Sequence, residues 1–508
     1  MRNSFSERKS NKHLILRYLN FFDIKDLKGN LLFVIIIVKI FSVKKYSVKR
    51  CVMFIGREKE LDAIKSEFSL KAKKSAILVY GKRRVGKSTL INEASKSFEG
   101  VVINHLCVSS TFEGNLSLLY KSISEALSLP DISFSNIFEA IEFLGKIDKN
   151  ILLVIDEYPY LKETKKNNEV DSYMQRIIDN LPNNMKLILC GSYITMMKEL
   201  LYADNPLFGR FSLILNLRDF NYYDAAKFYP ELSIRDKIAF YSVFGGSPYV
   251  LEHLKIEKSL KENIIELFLP ETGLIRSHVE NIMLREIQKS FDVRILEALK
   301  NGKKRYSEIK DTINSKETGI LDKQLKILLD METIKKTEPI NRRNDKKKQF
   351  YEISDNLMRF YFSFIFASAG VVSRIGEEQF YKNKVEKALN EFISRRFEGI
   401  SLEYFHRMAG KEHYEDIEDF GSYWYDDPAT RSNGEFDCVI RRSGDVYDFY
   451  ECKYYAKPMI LSECIEEQKK IHQIKGITVA KVGFISSSGF EFEDNGDFLL
   501  VDGAALYK

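Results

Sequence analysis

The chain has 508 residues, 44% hydrophobic and 30% charged, the composition of a folded protein of about three to four domains and not of a disordered one. Its six cysteines, Cys51, Cys107, Cys190, Cys438, Cys452 and Cys464, include no C-x-x-C pair, so neither a zinc site nor a disulfide framework is indicated, and a reducing, cytoplasmic setting fits. The formal net charge is +6, but residues 1–52 hold 12 Lys/Arg against 3 Asp/Glu and the rest carries 66 basic and 69 acidic side chains, so the total charge is no argument for nucleic-acid binding.

From the N-terminus, residues 31–43 (LLFVIIIVKIFSV) form an apolar run broken by Lys39. A spanning helix needs roughly 20 apolar residues, and no small-residue cleavage site follows the run. No stable membrane insertion is expected, and a short interfacial anchor is the alternative. A well-patterned domain opens at once with MFIGREKEL. The expectation is that Met53 is the natural start and residues 1–52 a basic N-terminal extension.

Residues 75–90, SAILVYGKRRVGKSTL, place an apolar run of strand length before Gly81-Lys-Arg-Arg-Val-Gly86-Lys87-Ser88, and Leu90, Ile91, Ala94 and Phe98 follow at helical spacing. G-x-x-x-x-G-K-[ST] between a strand and a helix is a phosphate-binding loop. Glycines let the backbone wrap a phosphate with several N–H groups pointing inward, and the helix N-terminus adds its positive dipole end. Gly81, Arg84, Gly86, Lys87, Ser88 and Thr89 are the expected contacts to ATP, with Lys87 on the β- and γ-phosphates and Ser88 on Mg2+.

A partner acid follows in ILLVIDEY (151–158). Five apolar residues suit a parallel strand buried on both faces. It ends in Asp156, expected to hold Mg2+, and Glu157, expected to polarise the attacking water. A third apolar strand, KLILCGSY (186–193), ends near Ser192, placed to contact the γ-phosphate or the water.

These stretches, with FIGREKEL (54–61) ahead of them, resemble the archaeal-type family of AAA-like P-loop ATPases, also found in bacteria. PLFGRF (206–211) is similar to the family's P-L-x-G-R segment, and FGGSPYVL (244–251) to the Gly-Gly-x-Pro stretch of its helical lid. The resemblance implies that Arg210 reaches a γ-phosphate from a neighbouring subunit of a homo-oligomer; a local ion pair is the alternative. The LSGGQ signature of transporter ATPases is absent.

Further along, FDVRILEALKN (291–301), YSEIKDTI (306–313) and ETGILDKQLKILLDM (317–331) read as three helices, and TIKKTEP (333–339) and KQFYEIS (348–354) as a hairpin, the winged-helix pattern. Its tip, INRRNDKKK (340–348), carries Arg342, Arg343, Lys346, Lys347 and Lys348, either to contact the phosphates of DNA or as the charged loop of a packing module. DNLMRFYFSFIF (355–366) reads as a buried helix joining two domains.

After residue 385 the order is a helix (392–409), a hairpin (435–442 and 446–455, around Ser443-Gly444), a helix (461–474) and a strand (481–488), the order of a restriction-endonuclease-like core. Side chains alternate along a strand, so Glu451 and Lys453 share a face, and the hairpin brings Asp437 near Glu451. Two carboxylates chelate Mg2+ or Mn2+, such a metal activates a water, and Lys453 is placed to orient it. E-x-K also occurs at Glu163-Thr-Lys165 and Glu308-Ile-Lys310, so strand context and Asp437 carry the assignment. The stretch resembles the PD-(D/E)xK nuclease pattern, with Phe436 where that pattern has proline. By the resemblance Glu398, in Phe397-Glu398, is a further metal ligand, and Glu403 a lesser candidate.

The expected architecture is α/β: the extension (1–52), a P-loop ATPase core with a parallel sheet (53–225), a helical lid (226–290), a winged helix (291–357), a helical connector (358–384) and a restriction-endonuclease-like domain (385–508). The expected function is an ATP hydrolase coupled to metal-dependent DNA cleavage. The alternative is a nucleotide-switched regulatory protein whose C-terminal domain binds nucleic acid or a partner without cutting.

Overall fold

The computed structural model describes residues 54–70, 75–164, 168–283, 292–314, 318–411, 416–427, 432–474, 476–493 and 496–508. The N-terminal extension and its apolar run lie outside the described residues. Among the described residues no helix is long and apolar enough to cross a membrane.

The first layer is a five-stranded sheet: β1 (Ser75–Gly81), β2 (Val101–Leu106), β3 (Ile151–Asp156), β4 (Met185–Gly191) and β5 (Leu213–Leu217), in the order β2-β3-β4-β1-β5 and parallel throughout. Every residue of β1 and β4 is buried, as their unbroken apolar runs require when helices cover both faces. The strand carrying Asp156 is separated from the strand feeding the phosphate loop by β4. That order sets the end of β4, and with it Ser192, between the two. Helix α1 (Glu58–Ser69) precedes the sheet, and α2 (Lys87–Ser95) leaves the loop directly. Gly86 turns the chain into α2 with φ 93°, a conformation that costs a residue with a Cβ. At Gly81 a Cβ would come 2.1 Å from the Leu217 carbonyl oxygen.

A second apolar core is continuous from the lid to the C-terminal sheet. The segment expected as a lid (226–290) contributes α3 (Ile234–Phe244) and α4 (Leu274–Ile282). Three helices follow, α5 (Arg294–Ala298), α6 (Tyr306–Thr312) and α7 (Thr318–Asp330). Leu321, Leu325 and Leu328 of α7 are buried at helical spacing, whereas Ile320 is 50% exposed. The antiparallel pair β6 (Ile334–Thr337) and β7 (Phe350–Ile353) completes this unit. Phe291 and Glu317, at the edges of two expected helices, lie outside the described residues. The buried stretch after residue 355 is not one α-helix. It runs as α8 (Asn356–Phe360), a π-helical turn over Tyr361–Ile365 and a 3-10 turn over Phe366–Ser368. The extra residue per turn of a π segment accommodates five aromatics within seven positions.

The C-terminal layer begins with α9 (Glu386–Met408). Strands β8 (Ile417–Asp427), β9 (Ser432–Arg442) and β10 (Val446–Lys453) are antiparallel, helix α10 (Leu461–Ile471) crosses over, and β11 (Thr478–Ser486) and β12 (Leu499–Asp502) add in parallel. The sheet order is β12-β11-β10-β9-β8. The sequence reading had the β9–β10 hairpin, where Gly444 and Asp445 take φ 80° and 57° at the turn. It did not include β8 or β12. The hairpin tip between β6 and β7 is docked, not projecting. The Ile340 N–H donates to the Ser422 carbonyl at 2.7 Å, Asn341 exchanges hydrogen bonds with the Trp424 backbone, Arg343 pairs with Asp419 at 2.7 Å, and the Lys348 ammonium lies 3.4 Å from the Trp424 ring centroid. For Arg343 and Lys348 the packing role holds.

Candidate functional site

The phosphate loop lies at the C-terminal edge of the parallel sheet, where α/β sheets bind ligands, in a cleft of about 650 Å³ lined among others by Arg84, Lys87, Thr89, Glu157 and Ser192. Lys87 is 5% exposed, and its Nζ donates to the carbonyls of Gly81 and Lys82, each at 2.9 Å. The Ser88 hydroxyl donates to Asp156 Oδ2 at 2.7 Å. The sheet order therefore joins two residues 68 positions apart into a pair of oxygen donors suited to Mg2+. Glu157 sits at φ 53°, an uncommon conformation for a residue with a Cβ. Its carboxylate accepts from the Ser192 hydroxyl at 2.6 Å and from the Ser192 N–H at 3.1 Å. The two thiols beside this centre stay protonated: burial, then the Asp156 charge, pushes Cys107 up to about 12 and raises Cys190 well above its usual range.

The three basic residues between the loop glycines each hold a different neighbour. Lys82 pairs with Asp219 at 3.5 Å and Asp355 at 3.4 Å. Arg83 donates to the Tyr160 hydroxyl at 2.9 Å. Arg84 lies 3.1 Å from His278 Nδ1 and 3.9 Å from the centroid of the Tyr249 ring, both in the lid. Burial and the adjacent Arg84 charge hold His278 down at about 4, so its neutral ring accepts that hydrogen bond. Arg210 pairs with Asp179 at 3.0 Å within the chain, away from the residues lining the cleft.

A family described as an ATPase domain predominantly from Archaea matches residues 54–254, and a family of archaeal and bacterial proteins of unknown function matches residues 361–471. The uncharacterized protein MJECL04 of Methanocaldococcus jannaschii is 30% identical over 362 residues, covering 69% of this chain and 77% of that protein. The chain belongs to this archaeal-type ATPase family. Solved structures similar to it include the Walker-type ATPase paby2304 of Pyrococcus abyssi, with TM-score 0.44 and 20% identity over 61% of this chain and 96% of that one. They also include the ORC2 protein of Aeropyrum pernix, with TM-score 0.37 and 10% identity over 68% of this chain and 97% of that one.

In this ATPase the second set of acids is arranged differently from the sequence expectation. The ladder between β9 and β10 ends with Tyr450 opposite Cys438, and Asp437 and Glu451 are the next residues of their strands. Glu451 pairs with Lys453 at 2.5 Å. Asp437 and Glu435 instead face Lys303, at 3.4 and 3.0 Å, a residue of the loop between α5 and α6. Burial lifts the Asp437 carboxyl above its ordinary range, with the Lys303 charge opposing. Burial and the neighbouring Asp437 carboxylate push Glu398, on α9, up to about 8. Among the described residues no group of three or more His, Cys, Asp or Glu is placed to hold a metal ion. In this arrangement Asp437 and Glu451 each face a lysine, Lys303 and Lys453. Glu403 belongs to another contact altogether: it accepts from the Tyr222 N–H at 3.0 Å and the Tyr241 hydroxyl at 3.0 Å, joining α9 to the lid.

Sequence reasoning missed Lys82, Lys303, Asp219, Asp355 and His278. Lys82 falls at a position that the loop pattern leaves open. The partners lie far along the chain, and nothing local marks them.

Proposed function

We propose that the chain hydrolyses ATP with Mg2+ in the phosphate-loop cleft and uses the nucleotide state to reposition its C-terminal half. The observation that carries this reading is the Ser88–Asp156 hydrogen bond beside the Glu157–Ser192 pair. Ser88 and Asp156 supply oxygen donors for the cation, which neutralises phosphate charge when bound. Glu157 is the base that takes or polarises the proton of the attacking water, with Ser192 fixing its carboxylate. Lys82, tied to Asp355 at the entry to α8, connects the loop to the elements beyond the lid. The decisive assay is ATP turnover with Mg2+ for the wild type and Lys87→Ala. Loss of turnover in the variant is expected, and unchanged turnover overturns the reading. Arg210 completes a site only if a second copy of the chain presents it, so its role in a homo-oligomer is part of this proposal.

For the C-terminal half, a nucleic-acid-binding module switched by the nucleotide is the reading the side chains support, and the unit of α5, α6, α7, β6 and β7 is a winged helix in this scheme. Arg342, Lys346 and Lys347 of its hairpin tip are exposed and suited to phosphates. Metal-dependent DNA cleavage is the second reading. It is supported by the order helix, three antiparallel strands, helix, parallel strand, and by Asp437 and Glu451 each lying next to the Cys438–Tyr450 pair that ends the β9–β10 ladder. It requires Lys303 to leave Asp437. Incubating labelled DNA with Mg2+ or Mn2+, with and without ATP, separates the two: cleavage lost in Lys453→Ala establishes the second, and DNA binding without cleavage the first.

A further inference from the structure

A cavity of about 640 Å³ lies between the β6–β7 hairpin, α9 and the C-terminal sheet, and a smaller one of about 390 Å³ adjoins α9 and the turn after α8. Arg359 and Arg396 line both. Arg359 is 3% exposed. Its Nη2 donates to Glu352 at 2.9 Å, while its Nε and Nη1, and the Nε of Arg396, are buried without a hydrogen-bond partner among the described residues. The charge balance is uneven as well. Glu352, 6% exposed, is shared between Arg359 and Lys335, the latter at 3.1 Å, and leaves Arg396 without a full countercharge.

Buried guanidinium donors without partners are expensive to fold. Planar guanidinium forks are also the side chains that recognise phosphate oxygens. We propose that Arg359 and Arg396 form a phosphate-binding subsite, separate from the phosphate loop, that takes the phosphate group of a nucleic-acid strand or of a free nucleotide. The subsite opens on the cavity that also holds Asp437 and Lys303, so a phosphate seated there lies beside the acids of the C-terminal sheet. The proposal does not depend on cleavage. It identifies what the C-terminal half grips, whether or not it cuts.

The test uses the full chain with Lys87→Ala, which disables the phosphate loop, in chelator so that no cleavage occurs. Binding of inorganic phosphate is followed by calorimetry, and binding of a short 5′-phosphorylated single strand by anisotropy, with and without Arg396→Gln. A loss of affinity of at least tenfold for either probe is expected in the Arg396→Gln variant, together with a higher Tm in the absence of phosphate as like-charge repulsion is relieved. Loss for the strand alone identifies nucleic acid as the source; loss for both identifies any accessible phosphate group. Unchanged affinity for both probes, or no binding by the parent, overturns the proposal. Should Arg396→Gln fail to fold, Arg396→Lys decides in its place. It keeps the charge but loses the fork, and affinity equal to the parent's would count against the subsite.

Discussion

The ammonium of Lys82, inside the phosphate loop, lies 3.4 Å from the carboxylate of Asp355, 273 residues along the chain. The same residue's carbonyl accepts a hydrogen bond from Lys87. One residue thus touches both Lys87 and the entry to α8. Lys82→Met leaves Asp219 and Asp355 facing each other with their countercharge gone. Breaking a buried pair costs about 3–5 kcal/mol, and partial exposure of these three side chains reduces that to about 1–3 kcal/mol here. Urea denaturation measures it. Limited proteolysis with and without ATP is expected to lose its nucleotide dependence in this variant, and an unaltered digestion pattern would rule out Lys82 as the link.

Ser192 and Glu157 form the second test. Glu157→Gln is expected to lower ATP turnover by about 10²–10⁴-fold while nucleotide binding persists. Ser192→Ala removes one hydrogen bond to a charged group, worth about 1.5–3 kcal/mol, and is expected to slow turnover by roughly ten- to a hundredfold. Steady-state turnover beside equilibrium nucleotide binding distinguishes these effects from a loss of affinity.

Glu398 makes stability depend on pH. Its folded-state value of about 8 lies above the ordinary 4.5. Between those values the native chain binds the extra proton and the unfolded chain does not, so this group's contribution is full below pH 4.5 and is lost as pH rises through 8. Glu398→Gln cannot ionise and keeps its contribution. Its Tm is expected to exceed the wild type's at pH 8.5 and to match it near pH 5. A constant difference across that range would show that Glu398 does not titrate there.

Much of the phosphate-loop cleft was legible in the sequence, because a phosphate-binding loop demands fixed chemistry at fixed spacing. Gly86, Lys87 and Ser88 are set by the loop, and Asp156 and Glu157 by the end of an unbroken apolar strand. The C-terminal acids were legible as a hairpin pattern but not in their pairing. Strand alternation puts Glu451 and Lys453 on one face, whereas the cation facing Asp437 comes from Lys303 on a different unit. The hairpin tip shows the same limit: its run of basic residues reads alike whether it meets phosphate or, as for Arg343, a carboxylate on β8. β8 itself reads poorly because Gly421 and two acidic pairs interrupt its alternation.

Arg210 offers a test of assembly. Its ion pair with Asp179 is partly exposed, and surface pairs of that kind contribute about 0.2–1 kcal/mol, so Arg210→Ala is expected to leave Tm nearly unchanged. If the arginine serves a neighbour's nucleotide, turnover per chain rises with protein concentration in the wild type and stays flat in the variant. Concentration-independent turnover in both would assign Arg210 to the local pair alone.

The hairpin tip seated against β8 also closes an outer strand. Among the described residues β8 ends the sheet order and no strand pairs with its outer edge; residues 340–341 take up the backbone groups of Ser422 and Trp424. Bare sheet edges invite strand addition and self-association. A C-terminal fragment starting at residue 385 would therefore bare the edge groups of Ser422 and Trp424 that the hairpin of β6 and β7 occupies in the intact chain.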